Sequence, residues 1–116
     1  MADDKTTIED LKQLVENFVN QRNWQQFHAP KNLAMSLAIE AAELMEHFQW
    51  IDAEESRRLA DDQQRRAEVA DELSDVLCYA LAMANTLKID LADAIRAKMV
   101  KNEQKYPAEQ FRNRWR

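Results

Sequence analysis

The chain has 116 residues, a formal net charge of -5, two prolines and no glycine. An average protein is about 7% glycine, so its absence excludes a Gly-rich phosphate loop, a dinucleotide-binding fingerprint and the usual glycine-bearing hairpin turns. At 46% hydrophobic and 32% charged, the composition is that of a folded domain. Its wealth of Ala, Leu, Glu, Gln, Lys and Arg predicts an all-α fold.

Four helical segments follow in chain order. The first is predicted from Ile8 to Asn23, with Thr6 and Glu9, or Thr7 and Asp10, spaced as a capping box. Its apolar residues Ile8, Leu11, Leu14, Val15, Phe18 and Val19 recur at helical spacing. Trp24 to Ala29 breaks the pattern. The second segment starts at Pro30, a favoured first-turn residue, and runs to about Gln49. Asp52 opens a charged connection, predicted as a short helix to Leu59. The third segment runs from about Asp62 to Leu87. Asp90 caps the fourth, which ends near Tyr106, before Pro107. Four helices in one small domain predict a four-helix-bundle-like arrangement.

The second helix carries the first chemical signal. Leu33, Ala34, Leu37, Ala41, Leu44 and Phe48 form its predicted core stripe, and Met35, Ala38, Ile39, Ala42 and Met45 continue the apolar surface round the other side. Only Ser36, Glu40, Glu43 and His47 interrupt it. A helix apolar on nearly all sides is buried. Two carboxylates three residues apart on such a helix repel one another and lose hydration unless a cation joins them. The third helix repeats the arrangement. Val69, Leu73, Val76, Leu77, Ala80, Ala84 and Leu87 form its apolar face, and Glu72 and Asp75 stand along one edge. One such pair on a charged helix is usually solvated. Two pairs embedded in apolar helix predict a metal site made of Glu40, Glu43, Glu72 and Asp75. All-oxygen donors suit Mg²⁺, with Mn²⁺ as a substitute.

The fourth helix offers the opposite sign. Lys98, Asn102 and Lys105 share one side beside Tyr106, a set suited to phosphate oxygens, or else to a snorkelling lysine edge. Trp24, Phe27, His28, Phe48 and Trp50 flank the second helix. Such residues plug the ends of small cores, or stack on a base. His28 and His47 are the only histidines, and neither completes the E-x-x-H of a redox dimetal bundle. Cys78 is alone, which rules out a disulfide within the chain and a Cys-based zinc site.

Together these blocks resemble the MazG-like all-α nucleoside triphosphate pyrophosphohydrolases. Glu40-x-x-Glu43 and Glu72-x-x-Asp75, 28 residues apart, match that family's signature. Trp24-x-x-Phe27-His28-x-Pro30, Phe48-Gln49-Trp50 and Lys98-x-x-x-Asn102-x-x-Lys105-Tyr106-Pro107 resemble its dCTP pyrophosphatase branch. The resemblance implies a homodimer or homotetramer and Mg²⁺-dependent cleavage of a nucleoside triphosphate to monophosphate and pyrophosphate. It implies Glu40, Glu43, Glu72 and Asp75 as metal ligands, with Glu40 or Glu43 also activating water. Lys98, Asn102, Lys105 and Tyr106 would hold phosphates. Trp24, His28 and Trp50 would surround the base, with Phe27 and Tyr79 as further candidates. The family often has glycine before each glutamate of the first pair; here Ile39 and Ala42 stand there.

The expected domain covers residues 1–107, followed by a basic tail, 108–116. Residues 1–95 carry 9 Lys/Arg against 19 Asp/Glu, and residues 96–116 carry 7 against 2. The acidic body would repel phosphate chains, so nucleic acid is not an expected partner. No run of about 18 apolar residues and no signal-peptide pattern occurs, which predicts a cytoplasmic protein with no membrane partner. The alternative to an enzyme is a non-catalytic helical protein that uses its wide apolar faces to self-associate.

Overall fold

The computed structural model describes residues 1–115; Arg116, the last residue of the basic tail, lies outside them. Among the described residues all regular structure is helical. The helices are α1 (Ile8–Gln21), α2 (Pro30–Glu46), α3 (Ala53–Arg57), α4 (Gln63–Leu87), α5 (Leu91–Lys105) and α6 (Ala108–Phe111). Short 3-10 turns occupy Ala2–Asp4, Trp24–Phe27 and Leu59–Asp61.

The helix starts are set by local chemistry. Thr7 and Asp10 form the capping box of α1: the Asp10 N–H donates to Thr7 Oγ1 and the Thr7 N–H to Asp10 Oδ2, each at 3.0 Å. Asp52, Asp62 and Asp90 accept from the third backbone N–H of α3, α4 and α5. Pro30 opens α2 with no side-chain cap. The missing glycines are felt at the turns. Asn23, Lys88 and Asn113 take left-handed backbone conformations, with φ of 52°, 56° and 66°. Asn tolerates that region, whereas Lys pays for its Cβ there.

The main contact is α2 along α4, with α1 laid along the C-terminal half of α4 and joined to α2 through the Trp24–Phe27 turn. The packed face of α2 runs through Leu33, Ser36, Leu37, Glu40 and Leu44 and continues just past its end at His47 and Phe48; that of α4 runs through Arg65, Val69, Glu72, Val76, Tyr79, Ala80 and Met83. Each acidic pair therefore places one glutamate, Glu40 or Glu72, in the middle of a packed stripe. Ala34 and Ala41, expected in the core, are exposed, because the stripe of α2 is turned toward Ser36 and Glu40. Leu73 and Leu77, expected to face inward on α4, are 47% and 55% exposed.

The fourth long helix does not close a bundle within the chain. α5 makes no extensive contact with α2 or α4, and Ile95, Met99 and Val100 are exposed along it. Val19, Leu33, Leu59, Ala82 and Ala84 are the buried apolar residues. The radius of gyration is 17.1 Å, against about 13 Å for a compact domain of this length. The accessible surface is 9635 Å², against about 6,600 Å² for a compact monomer of this mass. No helix among the described residues is long and apolar enough to cross a membrane.

Candidate functional site

The packing of α2 on α4 brings Glu40, Glu43 and Glu72 together. One carboxylate oxygen from each lies within 4.8 Å of the others. Glu40 Oε2 and Glu72 Oε2 are buried with no hydrogen-bond partner, a costly state for two acceptors. Burial, helped by contact with Glu43 and by the charges of Glu43, Asp75 and Glu72, pushes the Glu40 carboxyl up to about 7. Glu72 is raised by burial, by Glu43 and by Asp75, while His47 acts in the opposite direction. Asp75 is thus close enough to press on both, and it stands one turn beyond Glu72 on α4.

This donor set fits a hard divalent cation. Mg²⁺ prefers carboxylate oxygens, and three of them lie within 4.8 Å of one another here. A cation there would partner both orphaned oxygens and relieve the repulsion among four acids.

Asp75 also lines a cavity of about 490 Å³ between α1 and α4. Asp75, Cys78, Tyr79 and Ala82 line it from α4; Leu14, Val15, Phe18 and Val19 from α1; Trp24 and His28 from the connecting turn. Its volume is that of a small-molecule site, for which about 300–1,000 Å³ is usual. The aromatic wall is braced. The Phe18 and Trp24 rings meet edge to face at 5.7 Å, and the Arg22 guanidinium sits 3.7 Å from the Phe18 centroid while donating to the Phe18 carbonyl at 3.1 Å. Asn32 Nδ2 donates to the Phe27 carbonyl at 3.1 Å, which ties the turn carrying His28 to α2. Burial, with the charge of Asp75, raises the Cys78 thiol.

A model of the MazG-like family matches residues 35–115, a span that contains both acidic pairs and most of the tail. The chain belongs to the MazG-like family. It is 42% identical to dCTP pyrophosphatase 1 of Bos taurus over 101 residues, 87% of this chain and 60% of that protein. It is 40% identical to dCTP pyrophosphatase 1 of Homo sapiens over 107 residues, 92% of this chain and 63% of that one. It thus falls in the dCTP pyrophosphatase branch of the MazG-like family, and spans about three-fifths of the length of these relatives. It is also similar to the crystal structure of a pyrophosphatase from Archaeoglobus fulgidus, with TM-score 0.77 and 42% identity over 85% of this chain and 91% of that one.

Within one MazG-like chain the expected site residues divide into two groups. Glu40, Glu43 and Glu72 converge, Asp75 adjoins them, and Trp24, His28 and Tyr79 line the cavity. Trp50 lies past the end of α2, is 88% exposed and does not line the cavity. Lys98, Asn102 and Lys105 are on α5 and Tyr106 ends it; none lines the cavity, and α5 makes no extensive contact with the α2 and α4 helices that carry the carboxylates. Phe27 is exposed outside the cavity as well. Lys105 instead places its ammonium 5.3 Å from the Tyr106 ring centroid, and Asn102 Nδ2 points at Met99 Sδ, 3.6 Å away. Leu14, Val15, Phe18 and Val19, which the sequence shows only as apolar residues at helical spacing, wall the cavity. The available signal was the stripe Asp75, Cys78, Tyr79, Ala82, which continues the acidic edge of α4 at helical spacing.

Proposed function

We propose that this chain is a divalent-cation-dependent nucleoside triphosphate pyrophosphohydrolase. Its preferred substrate is a cytosine deoxynucleotide such as dCTP, and its products are the monophosphate and pyrophosphate. The observation that carries the reading is the pair of orphaned oxygens on Glu40 and Glu72 beside an aromatic-walled cavity of nucleoside size. The names of the bovine and human relatives support the substrate, and the Archaeoglobus fulgidus structure supports the class.

Glu40, Glu43, Glu72 and Asp75 would hold Mg²⁺, or Mn²⁺ in its place, which when bound would supply charge neutralisation for the triphosphate and a lowered pKa for water. A carboxylate oxygen of Glu40 or Glu43 accepts a proton from the attacking water. Trp24, His28 and Tyr79 orient the base, so that the phosphates lie toward Asp75. Lys98, Asn102, Lys105 and Tyr106 bind phosphate oxygens, and Trp50 closes over the base. These five reach the site from a second copy of the chain. The extended shape and about 3,000 Å² of surface beyond that of a compact monomer support such a homo-oligomer. The enzyme acts in the cytoplasm on the nucleotide pool.

Pyrophosphate release from a panel of NTPs and dNTPs, with Mg²⁺ and with chelator, tests the reading. Release is expected from dCTP with Mg²⁺ and is abolished by chelator. Glu43→Gln and Asp75→Asn are expected to lower kcat/KM by about a hundredfold or more. Wild-type rates in those variants would overturn the site assignment.

A further inference from the structure

A second cavity, about 230 Å³, lies next to the first and shares Val15, Val19, His28 and Ala82 with it. Both lie between α1 and α4. The gap is therefore open where the proposed base sits, and side-chain packing leaves part of the interface between the two helices unfilled there, beside the buried Val19 and Ala82. α1 is attached only to α4 and to the Trp24–Phe27 turn by extensive contact. One end of the slot is anchored by that turn. The other end needs an anchor of its own.

The anchor is a reciprocal pair of hydrogen bonds. Half-buried Asn85, one turn past Ala82 on α4, donates from Nδ2 to the Lys12 carbonyl inside α1 at 2.9 Å. Lys12 Nζ returns the contact, donating to the Ile89 carbonyl just beyond α4 at 3.0 Å. The left-handed turn at Lys88 and the Ile89 N–H to Ala84 carbonyl bond, 2.9 Å, fix Ile89 in place. Lys12 precedes Leu14, Val15 and Phe18 by less than two turns, so the grip on Lys12 sets where those wall residues stand.

We infer that Asn85 is a positioning residue: by gripping α1 at Lys12 it sets the width of the slot between α1 and α4, and so which base the slot admits. This rests on the reading that the slot holds the base of a nucleoside triphosphate. Asn85 lines the smaller cavity but not the larger one, where Asp75, Trp24 and Tyr79 stand. Its effect passes through α1. Loss of the grip lets Leu14, Val15 and Phe18 drift from Tyr79, which weakens stacking on a small base and relaxes the exclusion of a large one. The acid cluster, held by α2 on α4, does not move.

The test uses Asn85→Ala and, as a milder second variant, Lys12→Met, which keeps the Asn85 bond and removes the return one. Pyrophosphate release from dCTP and dGTP is measured with Mg²⁺. In Asn85→Ala the KM for dCTP is expected to rise about fivefold, the worth of one hydrogen bond, with kcat held within about twofold. The ratio of kcat/KM for dCTP over dGTP is expected to fall. Lys12→Met is expected to shift both in the same direction by less. An unchanged KM, or a lost kcat with the base preference retained, would overturn the inference and leave Asn85 a fold staple. Native-state hydrogen exchange reads the grip without activity. Amides of residues 14–19 are expected to exchange about fivefold faster in Asn85→Ala, with those of residues 33–43 unchanged, and equal rates in both segments overturn it. Wild-type protein that cleaves no nucleotide, yet shows the selective exchange effect, would sink the functional reading and leave the grip standing.

Discussion

At the scale of single residues, the centre of the molecule is a conflict among four acids. Glu40 sits in the packed face of α2, and its carboxyl is raised from 4.5 to about 7. Between those values the folded chain keeps a proton that the unfolded chain has released. Folded stability conferred by that proton is present below about 4.5 and is lost as pH rises through 7. Glu72 shifts in the same direction. The metal-free protein should therefore weaken between pH 5 and 8, the reverse of a chain whose acids are salt-bridged. Urea midpoints in chelator across that window measure this, and a midpoint that rises with pH would refute it. Glu40→Gln, which keeps the shape without the charge, should flatten the slope and exceed wild type at pH 8. Added Mg²⁺ should raise the wild-type midpoint most at pH 8, where no proton competes for Glu40.

At the scale of elements, a chain with no glycine must end its helices by other means. α4 ends on Lys88 at φ 56°, ψ 46°, a conformation in which a Cβ costs about 1–2 kcal/mol. Lys88→Gly removes that strain but adds freedom to the unfolded chain. The net gain should be up to about 1 kcal/mol, or a Tm higher by about 4 °C. A lower Tm by calorimetry would mean that the Lys88 side chain makes a contribution larger than its backbone strain. Helix boundaries were legible in the sequence because they depend on neighbours: Thr7 with Asp10, Pro30, Asp62 and Asp90 act within one turn. Helix faces were less so. Helical spacing groups residues on one side but does not say which side meets a partner. Hence Ala34, Ala41, Leu73 and Leu77 belong to the predicted apolar faces yet are exposed, and Glu72, predicted along one edge of its helix, lies in the middle of the contact. The acidic pairs were legible because three-residue spacing is local. The α1 wall of the cavity was not, since an amphipathic helix facing a ligand reads like one facing a core.

At the scale of the whole molecule, the single chain exposes what a folded monomer hides. α2 leaves Met35, Ile39 and Met45 exposed; α4 leaves Leu73 and Leu77; α5 leaves Ile95, Met99 and Val100. Scattered exposed apolar residues are ordinary, but rows of them on three helices are not. The excess of about 3,000 Å² per chain over a compact monomer amounts to about 6,000 Å² for two partners, at the upper end of obligate interfaces, which run from about 2,000 to beyond 5,000 Å² in total. Ile39 and Ala42, each beside a glutamate of the first pair, put this face directly behind the acid cluster. A partner docked there would stiffen α2 at its chemical centre. Leu77→Glu tests the coupling. Leu77 lies outside both the carboxylate cluster and the cavity, so the change adds a charge to the exposed face alone. Light scattering should find wild type as a dimer or larger and Leu77→Glu as a smaller species. If α5 and Trp50 of a second copy complete the site, the smaller species should also lose pyrophosphate release, and raising its concentration should restore part of it by mass action. A monomeric wild type, or a dissociated variant with full activity, would show that one chain suffices and that Lys98, Asn102, Lys105, Tyr106 and Trp50 play no part in the site.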